Sequence, residues 1–128
     1  MGINDMTKGA ALHQFFSSFS IPAYPATSVP DKAVMPYLTY DYVVGAWEQE
    51  EVAITVNLWY YTESEAVPNA KANELSAAIG IGGKVIPCED GYIWLKRGSP
   101  WCQSLSDETD SGVKRRYINV SAEYLTLN

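Results

Sequence analysis

Alternation of apolar and polar positions dominates this chain and cuts it into strands. From Pro36 to Val44, Leu38, Tyr40, Tyr42 and Val44 share one face of an extended backbone, with Tyr37, Thr39, Asp41 and Val43 on the other. After Gly45-Ala46-Trp47 and the acidic Glu48-Gln49-Glu50-Glu51, the alternation resumes. Val52, Ile54, Val56, Leu58 and Tyr60 form one row, and Ala53, Thr55, Asn57, Trp59 and Tyr61 form the other. Two such runs around a polar segment predict a β-hairpin with a charged tip. Lys84–Cys88 and Gly91–Lys96, turned by Glu89-Asp90-Gly91, predict a second hairpin. A last strand, Val113–Leu125, sets Ile118, Val120, Ala122 and Tyr124 against Tyr117, Asn119, Ser121 and Glu123.

Two stretches follow the helical period instead. Over 4–19, Met6, Ala10, Phe15, Phe16 and Phe19 recur near helical spacing, and Asn4 or Asp5 can cap the first turn, although Gly9 weakens the pattern. The second opens at Val67-Pro68, where proline loses no backbone donor, and carries Ala72, Leu75, Ala78 and Ile79 as a narrow stripe ending at Gly80. Prolines 22, 25 and 30 make 21–36 an extended crossing segment. The polar, acidic stretch from Ser99 to Gly112 reads as a long loop holding Trp101 and Cys102, and loops of that length are usually functional or disordered. The expectation is one α+β domain over 1–128: two helices packed on a mostly antiparallel sheet, in the order α-β-β-α-β-β-β.

Composition narrows the function. Nine Lys and Arg against fifteen Asp and Glu give a formal net charge of −6, too few cations for gripping nucleic acid through its phosphates. An acidic protein can still line a channel for DNA, since repulsion keeps the polymer from sticking. Cys88 and Cys102 stand in unlike contexts, and with one histidine they make neither a disulfide scaffold nor a zinc site; two reduced thiols are expected. Met1–Lys8 has no basic lead into an apolar core, Met6 stands where a myristoylation signal needs Ser or Thr, and no apolar run approaches the ~18–20 residues that span a bilayer. A soluble protein without membrane partners is expected.

Catalysis needs a nucleophile, base or metal in a shared site. His13 lies on a Phe-rich helix without an acidic or thiol neighbour, which favours a structural role. Glu48, Glu50 and Glu51 crowd a hairpin tip, where solvation explains them. Asp107, Glu108 and Asp110 have oxygen-ligand spacing, but a calcium loop needs more ligands and a positioned glycine. Gly80-Ile81-Gly82-Gly83-Lys84 follows a helix and enters a strand, the reverse of a phosphate loop, and no Ser or Thr follows its lysine. Lys114-Arg115-Arg116 alternates across a strand, so a salt bridge to Asp107–Asp110, in the same or a neighbouring copy, fits better than a phosphate site. No enzyme and no cofactor are expected, and what remains is the profile of an assembly component.

Tyr37-Leu38-Thr39-Tyr40 on a first strand and Val56-Asn57-Leu58-Trp59 on a second resemble small head–tail connector proteins of long-tailed bacteriophages. Arg97-Gly98-Ser99-Pro100-Trp101, Asp107–Asp110, Lys114-Arg115-Arg116-Tyr117-Ile118-Asn119-Val120 and the helix start Pro68-Asn69-Ala70-Lys71-Ala72 are similar to the tail-terminator or tail-completion group. The resemblance covers most of the chain and rests on pattern, not on an invariant motif. It implies a ring, usually of six subunits, in the tail–neck region of a virion assembled in the host cytoplasm. Such a ring caps the finished tail tube and docks onto head–neck connectors, with DNA passing through unbound. It brings no catalytic residues. Trp47 and Glu50 at one hairpin tip, and Trp101, Asp107, Glu108, Asp110, Lys114, Arg115 and Arg116 around the long loop, are the expected contacts. Other neck adaptors, a tube subunit, or a small module binding a ligand on a Trp- and Tyr-rich sheet are the alternatives.

Overall fold

The computed structural model describes residues 6–128. Helix α1 spans Lys8–Phe16 and tightens into a single 3-10 turn at Ser17–Phe19. Strands β1 (Ala23–Pro25), β2 (Tyr37–Tyr40) and β3 (Val52–Tyr61) follow, then helix α2 (Ala66–Ile79) and strands β4 (Lys84–Cys88), β5 (Gly91–Ser106) and β6 (Val113–Thr126). The strands form one six-stranded sheet, ordered β1-β2-β3-β6-β5-β4 and curved into a half-barrel. Every neighbouring pair is antiparallel except β1 with β2. The class is α+β with a mixed sheet.

The period-2 pattern explains why one face is dry. Ile54, Val56 and Leu58 of β3, Ile118, Val120 and Ala122 of β6, and Ile93 and Leu95 of β5 are buried in a single cluster with Leu12 and Phe16 of α1 and Leu75 and Ile79 of α2. Both helices therefore cover the same face. Among the described residues, no helix is long and apolar enough to cross a membrane.

Four expectations change. The first helix starts later than 4–19 implies: Thr7 caps it, its hydroxyl accepting from the Ala10 amide at 3.1 Å, while Asn4 and Asp5 lie outside the described residues. The crossing segment contributes β1, with Ala23 paired to Leu38 and Pro25 to Tyr40. Strand β2 ends at Tyr40 and not Val44. Beyond it the chain is drawn to the far end of β6: Lys8 Nζ donates to the Gly45 carbonyl at 2.8 Å, the Trp47 amide donates to Thr126 O at 2.8 Å, and the Tyr124 hydroxyl donates to Val43 O. The Asp41 amide still donates to Thr55 O at 3.0 Å, and beyond it these bonds replace ladder pairing over 42–51.

The largest correction concerns 99–112. Most of that stretch is strand: β5 continues to Ser106, with Cys102–Ser106 paired to Ile118–Lys114, and only 107–112 make the turn. The pairing register shifts between Arg97 and Cys102, where a bulge takes up Gly98–Trp101. The bulge lies against β6, since Asn119 Nδ2 donates to Pro100 O at 2.8 Å and a Cβ on Gly98 would stand 2.7 Å from Asn119 Cβ.

Candidate assembly surfaces

Strand β6 sets the spacing of the exposed chemistry. At its start lies the tip 107–112, held beside the end of β3 by the Thr62 amide donating to Gly112 O at 2.7 Å. Asp107 folds the tip, accepting from the Thr109 amide at 2.7 Å and the Thr109 hydroxyl at 2.6 Å. These bonds hold its carboxyl below the usual range. Asp110 accepts from the Gly112 amide at 2.9 Å, and its charge beside Tyr61 raises that phenol. Glu108 is exposed, as is Glu63, which follows Thr62 in the chain. At the far end, Trp47 stands 57% exposed, with Glu48 and Glu50 next to it. The β4–β5 turn adds Glu89 and Asp90 there, since the Leu127 amide donates to Asp90 O at 3.2 Å. The two groups are separated by the fourteen residues of β6, roughly 40 Å of strand. The nominated residues thus form two distant acidic ends and not one site.

The basic triplet does not pair with the acidic tip. Lys114 and Arg116 point into the helix-covered side and are buried, while Arg115 faces the open side. Arg116 is 1% exposed. Its Nε donates to Asn69 Oδ1 at 2.8 Å, its Nη2 to Glu65 Oε1 at 2.6 Å, and its Nη1 to Arg115 O at 3.2 Å. Lys114 donates to the Ser111 carbonyl. Both cations fasten the start of α2 and the tip to the sheet. They are structural, because the guanidinium and the ammonium are buried and bonded within the subunit, out of reach of a partner.

The face without helices carries an array that the sequence showed only as alternation. Arg115 donates to Asn57 Oδ1 at 2.8 Å and lies 5.1 Å from the Trp59 ring centre and 5.8 Å from that of Tyr117. Tyr37 lies tilted beside Trp59 at 6.4 Å, and Tyr24 meets Tyr37 edge-on at 5.8 Å. Further along, Lys96 sits 3.9 Å above Trp94 and pairs with Glu51 and, at 3.4 Å, with Glu123. The bonds from Lys96 and Ser121 hold Glu51 below the usual carboxylate range, and Glu51 in turn raises Lys96. Lys96 is thus matched by carboxylates, while Arg115 rests on a neutral amide and aromatic rings within the subunit.

Trp101 is half-buried against the core, not projecting, and its indole N–H has no acceptor among the described residues. Cys88 and Cys102 are free thiols whose pKa values are raised by burial. His13 Nδ1 meets the Tyr40 hydroxyl at 3.2 Å and Nε2 the Ser17 hydroxyl at 3.3 Å. His13 and Tyr40 border an open cleft of about 460 Å³ shared with Gly9, Pro25, Thr27, Ser28 and Tyr42. Among the described residues that line it there is no carboxylate. Among the described residues, no three His, Cys, Asp or Glu side chains are grouped to hold a metal ion.

Compared with protein-family models, with curated proteins and with solved structures, the chain matches none.

Proposed function

We propose that this protein is a structural component of a long-tailed phage: a ring, expected to hold six subunits, that stops growth of the tail tube and joins the tail to the head. The observation that carries the reading is the pair of exposed acidic ends, Trp47-Glu48-Gln49-Glu50 with Glu89-Asp90, and Asp107-Glu108 with Asp110, at opposite ends of one continuous strand. A subunit that links two structures needs two contact surfaces on one rigid body, and β6 supplies the separation. One end would meet the tube protein and the other a head–neck connector. Lys96, Arg115 and Arg116 are engaged within the subunit, and the exposed Lys32, Lys84 and Arg97 are few beside a net charge of −6 for holding DNA that moves through the ring.

Deletion of the gene tests this directly. Unjoined heads with overlong or unstable tails are expected, and normal virions would exclude the role. Binding of the purified protein to tail tubes should weaken when Asp107, Glu108 and Asp110 are replaced by their amides, or when Glu48 and Glu50 are. The aromatic open face supports a second reading, a small ligand-binding module. Tryptophan emission that changes with a ligand, together with failure to bind tubes, would favour it.

A further inference from the structure

We propose that the outer edge of β5 over Cys102–Ser106 pairs antiparallel with the same edge of a second copy, about a two-fold axis at Ser104. Strand β4 pairs with β5 only from Gly91 to Leu95, whereas β5 runs on to Ser106. From Lys96 onward β5 has β6 on one side and, among the described residues, no strand on the other. Edge strands with unpaired amides and carbonyls are templates for further pairing unless charge, proline or a cover blocks them.

The other edges are blunted along their length, whereas this one is interrupted at the Gly98–Trp101 bulge and then runs uncharged from Cys102 to Ser106. Edge β4 carries Lys84 and Pro87, and β1 is three residues ending in Pro25. Cys102-Gln103-Ser104-Leu105-Ser106 has no charge and no proline. The neighbouring bulge is tied to β6, Asn119 Nδ2 donating to Pro100 O at 2.8 Å. Helix α2 packs on this half of the sheet, and the exposed Ala66, Ala70, Asn73 and Ala77 recur on it at helical spacing as an uncharged flank. Its exposed Glu74 is paired with Lys71 at 3.1 Å.

Charge fixes the partner as a second copy and sets its direction. With Ser104 opposite Ser104, Cys102 lies opposite the partner's Ser106. Because Cys102 pairs with Ile118 of β6 and Arg97 with Val120, Arg97 follows two strand positions beyond Cys102. It then falls beside the partner's 107–112 tip, which begins where β5 ends at Ser106 and carries Glu108. Arg97 is exposed and its Nη1 donates to the neutral Ser76 hydroxyl at 2.9 Å, with no carboxylate paired to it among the described residues. In the dimer the Arg97 of each copy meets the acidic tip of the other, and the two-fold axis makes the match twice. A parallel arrangement would place acid on acid. This isologous contact differs from the heterologous one that closes a ring, and it stands or falls independently of the phage reading.

The test uses the full chain without tail tubes. Sedimentation across a concentration series should show a reversible monomer–dimer equilibrium. Arg97→Glu should weaken it about tenfold, and so should Glu108→Arg. The Arg97→Glu/Glu108→Arg double variant should restore it. Ser104→Cys, in a Cys88→Ser/Cys102→Ser background, should give a covalent dimer on mild oxidation, while Asn73→Cys in that background should not. Circular dichroism checks the fold of each variant. A strict monomer at the highest attainable concentration, a swap that does not restore association, or equal cross-linking at 73 and 104 would each overturn the proposal.

Discussion

Arg116 offers the sharpest test of how the sheet holds α2. Asn69→Ala removes the acceptor that lies 2.8 Å from Nε inside the protein, leaving a buried charged donor unmet, at about 2 kcal/mol. Glu65→Ala removes the other strong acceptor, but the Glu65 side chain is 62% exposed, so screening limits that loss to about 1 kcal/mol. Removing both leaves the guanidinium with only the Arg115 carbonyl at 3.2 Å and the Glu65 carbonyl at 3.4 Å. Breaking a buried ionic network in this way should cost about 3–5 kcal/mol, at or above the sum of the single changes. For a chain of 128 residues, the melting temperature moves by about 4 °C per kcal/mol, so the double variant should melt roughly 12–20 °C lower. Arg116→Met adds a change of sign. In the native background it should destabilise by about 1–3 kcal/mol, and in the Glu65→Ala/Asn69→Ala background it should stabilise, because the charge left without partners is then gone. Urea unfolding and thermal melts at neutral pH read both effects. A double variant that loses less than about 1 kcal/mol, or a Met that destabilises equally in both backgrounds, would refute the argument that this cation is held by matched acceptors.

Two further predictions concern the same sheet. Gly98→Ala places a methyl 2.7 Å from both Asn119 Cβ and the Asn119 carbonyl, so the bulge must lift from β6; urea unfolding should show a loss of about 1–3 kcal/mol, and native stability would disprove that close approach. Glu51 has a folded pKa below its ordinary 4.5, so the stability it brings is present above that value and is lost as pH falls through the lower one; Glu51→Gln should flatten the acid limb of the urea midpoint against pH, and superimposable profiles would exclude the Lys96 pairing as its cause.

The strands that bury one face against the helices were legible because burial selects every second residue, as it does along Val52–Tyr61 and Val113–Leu125. The second half of β5 was not. There Cys102, Ser104 and Ser106 take the helix side and Gln103 and Leu105 the open side, but at the margin of the sheet neither side demands apolar residues. The bulge over Gly98–Trp101 also breaks the parity on which the reading depends. Strand β1 escaped notice for another reason, since three residues beside prolines give no alternation to count. Alternation did place Arg115 and Arg116 on opposite faces, yet nothing local marked Arg116 as the one that goes inside, because its acceptor Asn69 stands 47 residues away on α2. Residues facing the core keep the strand period because water is excluded there, and period is what a sequence reading detects. Where the period lapses while the backbone remains strand, the core has ceased to constrain the side chains. On β5 that lapse begins after Cys102, which still packs against the core. It coincides with the uncharged edge at Gln103–Ser106, which has no strand on its outer side among the described residues, so those residues are free to answer to a partner instead.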